Sequence, residues 1–243
     1  MKKFFSVAGG IASAALLAGC SATGGNGGGN PPIPPQSPLH NYSAVTLNAA
    51  GVTKSEGTIH HNGSQMSIEV GGNTYTAGNG THGGLLGNTS LDQYAFNDGT
   101  TSGMAIQGQH ALAGALLDSA NDQAYFAVNG TETITLPTQT ADYVGFYALT
   151  DGIDGAQGNF DAAVDFNAGT IDFTIYDMTS PIGTGTCALQ ATGFTSTFNT
   201  TGAFASTNNV DGQFYGPNAE ELAGLIQGTS GGNPTAGFLI GKQ

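Results

Sequence analysis

An all-β fold is expected from this sequence, and three observations predict it. Glycine supplies 40 of 243 residues and charged residues only 9%. A chain this rich in Gly, Thr, Asn and Ala and this poor in Lys, Glu and Leu reads as strands joined by turns. Next, Phe160, Ala162, Val164 and Phe166 alternate with Asp161, Ala163 and Asp165, and Ile171, Phe173 and Ile175 alternate with Asp172, Thr174 and Tyr176. A period of two with one apolar face is the mark of a half-buried antiparallel strand. Finally, Gly-rich turns separate short strand-like runs from residue 39 onward.

The first element is an address. Lys2 and Lys3 form a positive start, and Phe4 to Leu17 is uncharged. That stretch has the size of a signal-peptide core and is short for a bilayer span. It ends in Leu17-Ala18-Gly19-Cys20, which resembles a bacterial lipobox. Residues 1–19 are therefore expected to be a lipoprotein signal peptide, with Cys20 as the lipid anchor to the membrane. Stable anchoring needs more than one acyl chain, which bacterial lipoproteins carry. Residues 20–38 follow as a tether: Gly24 to Gly29 is flexible coil, and Pro31-Pro32-Ile33-Pro34-Pro35 is semi-rigid polyproline II. Ser21-Ala22 carries no acidic retention signal after the Cys, which favours the outer membrane.

Residues 39–136 hold runs expected as strands at Ser43–Leu47, Gly57–His61, Gln65–Val70, Gln93–Asn97, Met104–Gln109 and Gln123–Val128. Ala111 to Leu117 has helical composition and is expected as a short helix, weakened by Gly114. In residues 137–243 strands are expected at Tyr143–Leu149, Cys187–Phe198 (bent at Gly193), Ala203–Ser206, Val210–Tyr215, Leu222–Gln227 and Ala236–Gly241. The alternating pair at 160–166 and 171–176 brings the count to eight. Opposed residues share a face, so Phe166 should face Ile171, with Ala168-Gly169 or Asn167 through Thr170 as the loop. Eight antiparallel strands can close into a barrel filled by side chains; an open sandwich fits the same pattern.

Composition also excludes functions. The chain has no Arg, and only Lys54 and Lys242 remain beyond the signal region, against 17 Asp and Glu. Two cations cannot neutralise a row of phosphates, so nucleic acid is excluded as a partner. An anionic membrane surface would repel the chain. Cys20 is taken by lipid, so no intramolecular disulfide is possible for Cys187; it is expected as a buried small hydrophobe on a strand, with intermolecular pairing as the alternative.

Three motifs tempt and fail. Gly78-Asn79-Gly80-Thr81-His82-Gly83 matches G-x-G-x-x-G, but glycine at one in six makes one such match a chance event, and no strand–helix context surrounds it. Gly228-Thr229-Ser230-Gly231-Gly232 matches a nucleophile elbow, but that triad needs a later His and the last is His110. Asp165 and Asp172 fall opposite each other on the outer face in the expected register; a flat strand face supplies neither calcium's oxygens nor an acid–base cleft. The five histidines all precede residue 130. His60 and His61 point to opposite faces of one strand. No zinc-like spacing occurs, and His60, His82 and His110 are the weak candidates for haem or metal. No cofactor is expected.

Two segments carry a family likeness. One is Gly130-Thr131-Glu132-Thr133, Leu136-Pro137-Thr138 and Tyr143-Val144-Gly145-Phe146-Tyr147. The other is Val210 through Gly224, with Phe214-Tyr215-Gly216-Pro217-Asn218-Ala219-Glu220-Glu221 at its centre, and Gly237-Phe238 and Gly241-Lys242 near the end. These resemble the β-barrel domains of transferrin-binding protein B and its relatives. Val164-Asp165-Phe166 with the following turn resembles the family's central hairpin. The resemblance implies a small β-rich handle at 39–136 and an eight-stranded antiparallel β-barrel at 137–243, one unit where transferrin-binding protein B has two. It implies a surface-exposed bacterial lipoprotein that binds an extracellular protein or iron-bearing solute and is no enzyme. Partners it implies are a host iron-carrier protein or haem and a TonB-dependent transporter. A haem or metal scavenger using the histidines, and a structural envelope lipoprotein, are the alternatives. The string at 214–221 reads as a structural corner: Gly216 for a sharp exit, Pro217 opening a short helical turn, Glu220 and Glu221 near that turn's N-terminus. Loops at 71–92, 98–103 and 228–235 are the candidate contacts by exposure.

Overall fold

The computed structural model describes residues 43–86, 89–177 and 180–243, so the signal peptide, Cys20 and the tether lie outside the described residues. The described residues form eighteen strands. The first ten are β1 (Ala44–Asn48), β2 (Gly51–Ser55), β3 (Gly57–His61), β4 (Met66–Val70), β5 (Asn73–Ala77), β6 (Thr81–Leu85), β7 (Asp92–Asn97), β8 (Thr101–Gln107), β9 (Ala111–Asp118) and β10 (Gln123–Gly130). They build a seven-stranded sheet in the order β2-β1-β10-β9-β8-β7-β6 and a three-stranded sheet β3-β4-β5. The last eight are β11 (Thr140–Thr150), β12 (Gly155–Asp165), β13 (Thr170–Asp177), β14 (Ser180–Gln190), β15 (Gly193–Thr200), β16 (Ser206–Tyr215), β17 (Glu221–Ser230) and β18 (Asn233–Lys242). They close into an antiparallel barrel in sequence order. Closure runs from Thr150↔Ala236 to Val144↔Lys242 between β11 and β18, so the sandwich alternative falls.

Three apolar layers follow from the patterning. Inside the barrel Tyr143, Tyr147, Phe160, Phe194, Phe198 and Phe214 are almost fully buried. Each such side chain contributes about 1.5–3 kcal/mol by leaving water, and together they fill the lumen. Large rings need small neighbours. A Cβ on Gly212 would sit 2.0 Å from the Phe194 ring, and one on Gly241 would sit 2.7 Å from Phe160. One face of the seven-stranded sheet (Val45, Ile106, Ala113, Phe126) packs on the barrel's outer face (Phe146, Ala223, Leu225, Phe238). The other face (Ala44, Leu116, Tyr125) packs on Ile59, Met66 and Ile68 of the small sheet.

That middle position corrects the expected helix at 111–117, which is β9. Ala111, Ala113 and Ala115 face the barrel, while Leu112 and Leu116 face the small sheet. A strand buried on both faces loses its alternation and reads as a continuous apolar run. Gly114 has no room for a side chain: a Cβ there would lie 2.4 Å from the Met104 carbonyl.

Three other readings change. The run 187–198 is two strands, β14 and β15, joined by a hairpin turn at Ala191 with φ +48°. The expected strand at 203–206 is a 3-10 turn, Gly202–Phe204, leading into β16. One strand too few and one too many cancel, so the count of eight holds. In the central hairpin Val164 faces Ile171 and Asp165 faces Thr170, leaving Phe166 to Gly169 as the loop. Phe166 does not oppose Ile171, and Asp165 does not oppose Asp172. Asp165 instead accepts the N–H groups of Asn167 and Ala168 at 3.0 and 2.8 Å and shapes the turn. Asp172 accepts the Thr186 hydroxyl on the neighbouring strand.

Candidate functional site

A buried polar construction joins the sheets of β1–β10 to the barrel. It starts with Glu221, the first residue of β17. Residues 221, 223 and 225 share the outer barrel face that packs on the seven-stranded sheet, so this carboxylate is fully buried. A buried charge needs several donors. The turn between β8 and β9 supplies three backbone N–H groups: Gln109 at 2.7 Å, His110 at 2.9 Å and Ala111 at 2.8 Å. Gly108 makes the approach feasible, because a Cβ there would lie 2.3 Å from a Glu221 carboxylate oxygen.

The strings at 130–133 and 214–221 meet beside this clasp. The Thr131 N–H donates to the His110 carbonyl at 2.9 Å, and the Gly216 N–H donates to the Thr131 carbonyl at 2.8 Å. Thr133 is 2% exposed; its N–H reaches the Phe214 carbonyl at 2.9 Å and its hydroxyl the Gly216 carbonyl at 2.7 Å. The corner is a tight turn without a helix. Gly216 takes φ +88° and Ala219 φ +59°. Glu220 accepts the Asn218 backbone N–H at 2.9 Å and its side-chain amide at 2.8 Å. The two glutamates therefore do not flank a helix N-terminus: one ties its own turn and the other ties the handle. Tyr143 donates its hydroxyl to the Ala219 carbonyl from inside the barrel. Burial pushes the phenol well above its ordinary pKa.

The candidate histidines fall on separate elements. His60 is exposed on β3, with its Nε2 3.4 Å from the Thr58 hydroxyl. His82, on the edge strand β6, pairs with Asp92 at 2.9 Å. His110 sits in the clasp turn. Sequence reasoning passed over His61, which lies 4.3 Å from the Tyr94 ring, while His82 lies 4.9 Å from the ring's centre (centroid distances). Tyr94 is thus flanked by two imidazoles. His61 contacts Gln107 at 2.8 Å through Nε2 and accepts the Gly63 N–H at 3.3 Å through Nδ1. Burial lowers its pKa, and the Gln107 contact opposes that only in part. Among the described residues no group of three His, Cys, Asp or Glu side chains is arranged to hold a metal.

The three loops proposed as contacts are shorter than expected. Residues 71–92 contain β5 and β6. At 98–103 Asp98 accepts the N–H groups of Thr100 and Thr101, and β8 begins at Thr101. At 228–235 only Gly231-Gly232 forms the turn, both with positive φ. Cys187 is buried on β14, as expected of a small hydrophobe on a strand.

The family described as C-lobe and N-lobe beta barrels of Tf-binding protein B matches residues 53–243. The chain belongs to that family. The family is one of binding proteins, not enzymes. No curated protein sequence matches. Among solved structures, isotype 1 TbpB from serogroup B Neisseria meningitidis aligns with a TM-score of 0.57 at 17% identity, over 83% of this chain and 43% of that one. A TbpB variant from Haemophilus parasuis Hp5 aligns with a TM-score of 0.55 at 18% identity, over 83% and 44%. The haemoglobin receptor HpuA from Kingella denitrificans aligns with a TM-score of 0.50 at 15% identity, over 84% and 87%. At these identities the likeness is one of fold. The chain spans less than half the length of either TbpB molecule. The two strings that carry the sequence resemblance are the parts that lock the sheets of β1–β10 to the barrel.

Proposed function

We propose that the protein is a lipoprotein of the bacterial outer membrane, anchored through Cys20 and displayed at the cell surface, that binds an extracellular iron-carrier protein of the transferrin or haemoglobin class. The observation that carries this reading is the family match across both handle and barrel, residues 53–243. The similar structures are a transferrin-binding protein and a haemoglobin receptor, which point the same way. A tether built from Gly and Pro serves this role by holding a folded lobe away from the lipid. The acidic balance favours capture of a partner through a basic patch. A TonB-dependent transporter is the expected recipient of the iron.

The test has two readouts on one strain. Protease added to intact cells should cleave the wild-type protein, and a Cys20→Ala variant should be absent from the outer membrane. Wild-type protein immobilised and washed with host serum or haemolysate should retain an iron carrier, more strongly at low salt. Protection from protease on intact cells, or an empty pull-down at every salt concentration, would overturn the proposal. Haem titration separates the scavenger alternative: a Soret shift lost on His60→Ala, His82→Ala or His110→Ala would favour it over protein capture.

A further inference from the structure

Beside the clasp lies a cleft of about 220 Å³ between Ser43, β3 and β10 on one side and β16 and β17 on the other. That is below the roughly 300–1,000 Å³ of pockets for drug-sized ligands, so it suits a group the size of one side chain. Its floor includes Val128, Ala223 and Leu225, all buried. Its polar wall includes Glu132, Asp211 and Tyr215. Asp211 is partly engaged, with Lys54 at 3.5 Å and the Thr195 hydroxyl at 3.0 Å.

Two features of the wall remain open. Glu132 has no hydrogen-bond or ion-pair partner among the described residues. Tyr215 is only 4% exposed and lines the cleft, yet no described residue hydrogen-bonds its hydroxyl. The Tyr215 hydroxyl is not fully enclosed, unlike that of Tyr147, so it opens to solvent at the cleft. Burial raises the Tyr215 pKa, and the nearby Glu132 carboxylate raises it further, which puts phenol and carboxylate within electrostatic reach of each other. Aliphatic floor, carboxylate wall and a phenol oxygen able to accept are complementary to a cation on an alkyl stem.

We infer that the junction cleft is a binding site for an alkylammonium or alkylguanidinium group, with Glu132 as its counter-ion, Tyr215 as a hydrogen-bonding partner and Ala223 and Leu225 against its stem. The source of the cation is either a free small amine or a Lys or Arg side chain of a captured protein. The second source rests on the function proposed above; the first does not. A chain with two lysines and 17 acids beyond its signal region draws either one towards it.

The probes are methylguanidine and butylamine, with inositol as a neutral polar control, measured by ligand-detected NMR against the purified full chain. Both cations should bind saturably and compete with each other, while inositol does not bind. Glu132→Gln, an exposed position whose change should leave the melting temperature intact, should weaken both cations by roughly tenfold, the worth of one charge-assisted hydrogen bond. Tyr215→Phe should weaken them less. If Glu132→Gln also weakens capture of the iron carrier, the cation is a partner's side chain; if it weakens only the small probes, the cation is a free amine. Either result supports the site. If the probes bind while no carrier is captured, the function proposed above falls and the site stands. No binding of either cation, equal binding of inositol, or undiminished binding to Glu132→Gln would overturn the inference.

Discussion

Removing the Glu221 carboxylate should loosen the handle from the barrel. Glu221→Gln keeps the shape and removes the charge. In the native clasp one oxygen accepts Gln109 and the other accepts His110 and Ala111. An amide has a single acceptor oxygen, so in either orientation its NH₂ group faces at least one N–H donor. At least one charge-assisted bond is lost outright and the remainder become neutral. Leaving a buried donor unsatisfied costs about 1–3 kcal/mol, and a charge-assisted bond is worth about 1.5–3 kcal/mol. The clasp turn is partly accessible, with Gln109 exposed and His110 half-buried, so water recovers some of this. The net expectation is a loss of about 2–4 kcal/mol. For a domain of 150–250 residues one kcal/mol moves the melting temperature by roughly 2–4 °C, so the midpoint should fall by roughly 4–16 °C. Hydrogen exchange localises the effect. The amides of Gln109, His110 and Ala111 should lose protection first, while Phe146 and Phe238 on the barrel side keep theirs longer. A Glu221→Gln protein that melts within a degree of wild type, with those three amides still protected, would refute the assignment of Glu221 as the tie between the two halves.

Two tyrosines inside the barrel should respond in opposite directions. Tyr143→Phe deletes the bond to the Ala219 carbonyl and should cost about 1–2 kcal/mol. Tyr147 is also fully buried, but its hydroxyl has no partner among the described residues, so Tyr147→Phe should be neutral or stabilising by up to about 1 kcal/mol in chemical denaturation. Gly212→Ala places a Cβ 2.0 Å from the Phe194 ring and should cost about 1–3 kcal/mol by overpacking, read from the same denaturation curves. His61 sets a pH dependence. Its folded pKa lies below the unfolded value, so the folded state resists protonation, and stability contributed above about pH 6.5 declines as pH falls through that value towards the folded pKa. A His61→Gln variant should show a flatter stability profile between pH 7 and 5; an unchanged slope would count against the burial of that ring.

What could be read from the sequence follows the chemistry of exposure. Residues 160–166 and 171–175 were legible because the barrel's interior is apolar and their other face meets water. β9 was not legible, because it lies between the barrel and the small sheet, and two apolar faces erase the period. β2, β5 and β6 escaped notice for the opposite reason: Gly51-Val52-Thr53-Lys54-Ser55, Asn73 to Ala77 and Thr81 to Leu85 bury little and are held by their neighbours. The β14–β15 hairpin hid because Ala191 occupies the left-handed position where Gly or Asn usually signals a turn. Gly193, one turn residue later, read as a bend.

The clasp was half legible. The string around Phe214 to Glu221 reads as a structural corner, and it is one. The partner of Glu221 was out of reach, because its donors are backbone groups more than a hundred residues away. A signal was nevertheless present. Glu221, Ala223 and Leu225 share a strand face, and a carboxylate heading an otherwise apolar face has to find donors across an interface. The histidines show the converse: five were countable, but only the fold shows His61 and His82 on either side of Tyr94 and His110 in the clasp.

The proposed function requires this protein to grip an iron carrier. Equilibrium binding of the purified full chain to iron-loaded transferrin and to haemoglobin, followed by biolayer interferometry over a series of salt concentrations, tests it most directly. Saturable binding to one of the two, tightening as salt is lowered, is expected. A correctly folded chain that binds neither, at any salt concentration, would contradict it.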